Sequence, residues 1–173
     1  MNRRRFLTGA LATVAGSWAL PACSPASEAT GAMDDRAPLD KPLDEWRKLL
    51  TEEEFQVLFR EATEPPFSSP LNDNKEPGTY VCAACFQPLF SSKTKFESGT
   101  GWPSFYQPLE GAMETKRDFK LVLPRTEYHC SRCGGHQGHV FDDGPPPTGQ
   151  RWCNNGVALD FVPEGEPLPE LRS

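Results

Sequence analysis

Apolar residues keep a helical rhythm only between residues 43 and 62. Leu43, Trp46 and Leu50 fall on one helical face, and Phe55, Leu58, Phe59 and Ala62 repeat at the same spacing. Between these runs, Thr51-Glu52-Glu53-Glu54 has the capping-box pattern, in which the threonine hydroxyl accepts from the Glu54 amide and the Glu54 carboxylate reaches back. The pattern predicts two short N-terminal helices, the second stopped by Pro65-Pro66. From Gly78 onward the rhythm changes to short runs separated by Gly, Pro, Asn and Asp clusters. Gly78–Cys82, Phe119–Leu123, Glu127–Cys130 and Val157–Phe161 read as strands. The expected fold is mainly β, with antiparallel sheets and the two helices packed against them.

The ends of the chain read differently. Arg3-Arg4-Arg5-Phe6-Leu7 resembles a twin-arginine start, followed by a modest apolar run to Leu20. That run of about 15 residues is short of the ~20 needed to span a bilayer. Residues 1–22 therefore resemble a Tat-type export signal, which implies the Tat machinery as a partner and a periplasmic location. Leu20-Pro21-Ala22-Cys23 further resembles a lipobox, which would give a lipid anchor at Cys23; the proline leaves simple cleavage near Ala22 or Ala26 equally open. Residues 23–42, rich in Ala, Ser, Pro and Asp, read as a flexible linker. Residues 43–163 form one domain, and residues 164–173, with little to bury, read as a disordered tail.

Charge narrows the partners. The formal net charge is −6, and removing the three arginines of residues 1–22 takes it to −9. An acidic domain is ill suited to nucleic acid, whose binding is driven by neutralising phosphates.

The cysteines carry the chemistry. Cys82, Cys85, Cys130 and Cys133 form two CxxC knuckles, whose spacing fits one all-thiolate structural zinc ion. Disulfides are the alternative in an oxidising compartment, but two residues between cysteines make a poor structural bridge. Cys153 stands apart in Arg151-Trp152-Cys153-Asn154-Asn155 and has no cysteine neighbour. Read as a strand, this segment puts Arg151 on the same side as Cys153, where it can favour the thiolate. His136 and His139, in Gly134-Gly135-His136-Gln137-Gly138-His139, can donate protons to a leaving oxygen. A second metal site from these histidines and Cys153 would lack a clear fourth ligand.

Gly78–Cys85, Ser98-Gly99-Thr100-Gly101-Trp102-Pro103-Ser104-Phe105, Cys130–Gly144 and Arg151–Asn155 together resemble the methionine-R-sulfoxide reductase (MsrB) family, in that family's order. The resemblance covers residues 43–163 and implies a zinc-stapled β fold that reduces methionine-R-sulfoxide in proteins or peptides. It implies that Cys153 attacks the sulfoxide sulfur and becomes a sulfenic acid. His136, His139 and Asn155 would position the oxygen and supply or relay the proton. Trp102 would receive the substrate methyl group, with Phe141 also at the substrate, and Arg151 and Asp143 would support them. For Trp102, plain core packing is the competing role.

One departure matters. Many family members carry a resolving cysteine where this chain has Thr100. The expected cycle therefore uses one cysteine, with a thioredoxin-like protein or small thiol reducing Cys153. A zinc-knuckle binding module without chemistry and a redox sensor cycling through Cys153 are the rival readings.

Overall fold

The computed structural model describes residues 38–120 and 124–173. The export signal, the lipobox with Cys23, residues 23–37 of the linker and Leu121–Leu123 lie outside the described residues. Among the described residues no helix is long and apolar enough to cross a membrane.

Helix α1 spans Leu43–Leu49 and α2 spans Glu52–Arg60. The capping box forms as its residues dictate: Glu54 donates its amide to Thr51 Oγ1 at 3.3 Å, and its carboxylate accepts from the Thr51 amide at 2.7 Å. Trp46, buried, stacks on Phe59 at 5.3 Å, whereas Leu43 stays 41% exposed. The second helix ends before the expected prolines. Glu61 turns left-handed at φ 54°, and its amide and that of Ala62 close onto the Gln56 carbonyl. Contacts from Lys116 and Lys120 to the Glu61 carboxylate hold that turn, so Pro65 and Pro66 belong to the following loop.

Nine strands follow among the described residues: β1 (Gly78–Cys82), β2 (Pro88–Ser91), β3 (Lys95–Phe96), β4 (Ser104–Phe105), β5 (Met113–Asp118), β6 (Arg125–Cys130), β7 (His136–Phe141), β8 (Arg151–Asn154) and β9 (Leu159–Pro163). They form two antiparallel sheets, one in the order β2-β1-β9 and one in the order β3-β4-β8-β7-β6-β5. The expected mainly β architecture with two N-terminal helices is what the structure has. Two strand expectations shift. β5 ends at Asp118 and Phe119 is exposed, so the expected strand does not begin there, while Leu121–Leu123 lie outside the described residues; Val157 and Ala158 sit in a 3-10 turn before β9.

Aromatic side chains from the two sheets meet in the core. Phe90 of β2 stacks on Phe105 of β4 at 4.1 Å, Tyr80 meets Phe105 edge-on at 5.0 Å, and Tyr128 meets Trp152 at 4.9 Å. The tail, read as disordered from its prolines, has an anchor near its end. Arg172 donates to the carbonyls of Ala83 and Ala84 and lies over the Phe86 ring at 4.1 Å. Its own carbonyl accepts from Arg132. At the other end, the Leu39 amide bonds the Arg132 carbonyl at 2.6 Å, so the last residues of the linker lie on the domain.

The two CxxC knuckles join the sheets. Cys82 and Cys85 lie at the β1–β2 turn, Cys130 and Cys133 at the β6–β7 turn, and all four are buried. Their sulfurs lie within 4.8 Å of one another, with Cys82–Cys133 at 3.7 Å and Cys85–Cys130 at 3.6 Å. A tetrahedral ion with metal–sulfur bonds of 2.3 Å requires edges of about 3.8 Å, so the cage has the size of a metal site. Packed sulfurs raise the Cys82 thiol well above its usual range through their mutual hydrogen bonds and burial, and a bound cation would relieve that opposition to ionisation. Cys85→Ser should therefore lose one bound metal ion per chain by elemental analysis. It should also destabilise the domain by on the order of 4 kcal/mol or more in denaturant titration.

Candidate active site

The six-stranded sheet sorts its side chains by the alternation of the pleat. On β8, Trp152 and Asn154 face the core, while Arg151 and Cys153 face the other way. On β6, Tyr128 and Cys130 face inward, and Arg125, Glu127 and His129 face the opposite side. Register then lines up one row of polar side chains across the sheet. Ser104 of β4 lies opposite Cys153, Cys153 opposite His139, His139 opposite Glu127, and Glu127 opposite Lys116 of β5. Directly opposed residues share a face with Cβ atoms about 5 Å apart. Cys153 is thus flanked by a hydroxyl on one side and an imidazole on the other. Gly138, next to His139, has no room for a Cβ because the Cys153 carbonyl occupies that space.

A cavity of about 140 Å³ opens above this row. Trp102, Phe141, His139, Cys153, Asn155, Thr63 and Arg125 are among the residues that line it. Trp102 is half-buried and lies outside the core cluster, so its indole is a cavity wall rather than core filling. Its Nε1 donates to the Glu64 carbonyl at 3.1 Å. On the opposite side, Arg151 grips Asp143 through two bonds of 2.8 and 2.9 Å and lies 4.3 Å over the Phe141 ring.

Electrostatics separate the two reactive groups. Burial pushes the Cys153 thiol above its ordinary value of 9.0, against Arg151, Thr100 and Ser104, which favour the thiolate. The expectation that Arg151 would activate this thiol holds for its sign, but desolvation is larger. Burial also pushes His139 below 6.5, against the Asp118 carboxylate that accepts from its Nε2 at 2.9 Å. Asp118 is held ionised by the Lys120 amide, by His139 and by Arg125, which bonds it at 2.7 Å. At neutral pH the pair is thus a thiol and a neutral imidazole, opposed across β7 and β8 and both lining the cavity.

His136 takes a different place from the one its motif suggests. It is 2% exposed, does not line the cavity, and packs its ring edge-on to His139 at 5.5 Å. Its Nδ1 faces the Glu127 carboxylate at 2.7 Å. Burial works to raise Glu127, and the nearby His129, the bonded His136 and Lys116 together overcome it and hold the carboxyl below its usual range. Asn155 lines the cavity, yet its amide is engaged: Nδ2 donates to the Gln137 carbonyl at 3.0 Å, and Oδ1 accepts from the Glu64 amide at 3.1 Å.

The motif reading missed four residues. Glu64, Asp118, Arg125 and Glu127 each hold a site side chain in place. Glu64 is 4% exposed, and its carboxylate accepts from the amides of Gly156 at 2.6 Å and Val157 at 2.8 Å. Charged residues at alternate positions of β5 and β6 were the available signal for the other three, because alternation with Tyr128 and Cys130 assigns them to one face.

Comparison with known proteins supplies the family. The SelR domain matches residues 50–163. A peptide methionine sulfoxide reductase MsrB of Methanosarcina barkeri is 54% identical over 129 residues, covering 74% of this chain and 91% of that protein. Proteins of the same name from Pseudomonas fluorescens and Leptospira interrogans are 53% and 50% identical, covering 96% and 97% of their own lengths. With its thiol–imidazole row under an indole wall and its four-sulfur staple, the chain belongs to the MsrB family of SelR-domain proteins.

Proposed function

We propose that this protein reduces the R epimer of methionine sulfoxide in polypeptides. The observation that carries the reading is the pairing of Cys153 with His139 across β7 and β8 at the floor of a cavity walled by Trp102. Methionine sulfoxide is chiral at sulfur, and each epimer has its own repair enzyme. An apolar wall for the methyl group, set against a proton carrier for the oxygen, distinguishes the two hands.

In the proposed reaction, Cys153 gives its proton to His139 Nδ1 as its sulfur attacks the sulfoxide sulfur. His139 passes the proton to the sulfoxide oxygen, which ends on Cys153 as S–OH, and the thioether leaves. Asp118 holds His139 in the tautomer that leaves Nδ1 free, while Arg151 and the hydroxyls of Thr100 and Ser104 favour negative charge on Cys153. Two equivalents of thiol then return the sulfenic acid to thiol, releasing water and a disulfide. Thr100 stands where many relatives carry a resolving cysteine, so the thiols come from outside, from a thioredoxin-like protein or a small thiol. Zinc is the ion we assign to Cys82, Cys85, Cys130 and Cys133; its role is to fix the fold. Residues 1–22 are read as a Tat-type signal that exports the enzyme to the periplasm, with Cys23 as a candidate lipid anchor.

Separate R and S epimers of a blocked methionine sulfoxide, assayed with dithiothreitol, should show turnover of the R form alone, and Cys153→Ser should reduce it by at least about 10³-fold. A binding module or a sensor would turn over neither. The reactive state holds one proton between Cys153 and His139, so kcat/KM should fall below the lowered His139 pKa, where both are protonated, and above the raised Cys153 pKa, where neither is. The plateau therefore reaches below the ordinary histidine range and above the ordinary thiol range. Asp118→Asn removes an influence that raises the His139 pKa, so its acidic limb should move to lower pH, with kcat/KM down about tenfold or more. An acidic limb that stays put would count against Asp118 acting through His139. Mass spectrometry after a single turnover should find the sulfenic acid on Cys153 and no disulfide within the chain. Thr100→Cys, at a position that contacts Cys153, should convert that product to an internal disulfide.

A further inference from the structure

Phe67 is 69% exposed and has a φ of 62°, a conformation that residues with a Cβ rarely adopt. It follows Pro65-Pro66 at the second corner of a turn, where positive φ ordinarily selects glycine. The turn is built firmly: Ser68 Oγ donates to the Pro65 carbonyl at 2.7 Å, and the Phe67 amide donates to the Gly101 carbonyl at 2.7 Å. The Phe67 ring lies over Gly101, which precedes the cavity wall Trp102 and has no space for a side chain beneath it. One residue pair further along the same clasp, Trp102 Nε1 is held by the Glu64 carbonyl. Core packing does not explain Phe67, because most of its surface faces solvent.

We propose that Phe67 is a specificity residue: a rigid aromatic platform that binds an apolar side chain flanking the oxidised methionine in a polypeptide. This rests on the proposed reductase reading and adds the part of the substrate that the cavity does not hold. A cavity of about 140 Å³ takes one methionine sulfoxide side chain, so the backbone carrying it must lie outside, and Phe67 packs on Gly101, the residue before the cavity wall Trp102. Methionines are drawn mostly from apolar surroundings, and oxidation disrupts them, so apolar neighbours are the flanks such an enzyme meets. Two prolines and a fixed turn keep the ring in place before binding, which lowers the ordering cost of contact.

The test compares wild type and Phe67→Gly on three R-sulfoxide substrates: N-acetyl-methionine sulfoxide amide, a pentapeptide with phenylalanine on both sides of the sulfoxide, and the same peptide with serine flanks. Phe67→Gly suits the positive φ, and its thermal unfolding should match wild type or improve. Expected is a rise in KM of about tenfold for the phenylalanine-flanked peptide, with the small amide and the serine-flanked peptide within twofold. An equal loss on all three substrates, or no change on the phenylalanine-flanked peptide, overturns the proposal. Failure of wild type on the small amide would instead strike the reductase reading itself, and this inference with it.

Discussion

The pleat of the six-stranded sheet is the constraint on which this molecule depends. It separates two kinds of cysteine chemistry that sit a few strands apart. Cys130, at an even position of β6, is directed with Tyr128 into the interior, where it meets Cys82, Cys85 and Cys133. Cys153, at an odd position of β8, is directed with Arg151 to the opposite face. A slip of one residue in the β7–β8 register would exchange these faces and put Trp152 where the thiol stands. The core contact of Trp152 with Tyr128 and the tight approach of Gly138 to the Cys153 carbonyl both oppose that slip.

One irregularity in the pleat matters as much as its regularity. Residues three apart on a strand point to opposite faces, so His136 and His139 should diverge. The register shift beside Tyr128 and His129 pairs His136 with His129 and returns its ring to the side of His139. Two imidazoles therefore stand on one face, each backed by its own carboxylate, Glu127 for His136 and Asp118 for His139. Only His139 reaches the cavity. His136 packs against it from behind and is buried.

Much of this was legible in the sequence, and the reasons differ by element. The capping box at Thr51 and strand β1 are local patterns, and both formed over the expected residues. The cysteine quartet was legible because two-residue spacing has few uses other than gripping a metal. Trp102, Phe141 and Cys153 converge on one cavity through sheet registers that no local pattern records; the family motifs placed them. Positions set by long-range bonds were hidden. The end of α2 depends on Glu61 meeting Lys116 and Lys120, some 60 residues away along the chain, and the tail is ordered by Arg172 capping carbonyls of the first knuckle. Glu64 looks like a loop acid in sequence, and only folding brings Gly156 and Val157 to it.

Glu64 shows how the fold transmits rigidity to the site. Burial raises the pKa of its carboxyl, and two backbone amides, from Gly156 and Val157, offset that cost by satisfying both oxygens. Its backbone does separate work: the carbonyl holds the Trp102 indole, and the amide holds Asn155. One loop residue thus fixes the apolar wall and the polar floor of the same cavity. That loop is itself tethered, at Glu61 to β5 and at Phe67 to Gly101. Neutralising Glu64 as a glutamine would leave one acceptor oxygen facing two amide donors, and an amide nitrogen forced against the other. The damage would fall on the spacing between Trp102 and Asn155 while the four-cysteine cluster and aromatic core, whose contacts lie elsewhere, keep the domain folded.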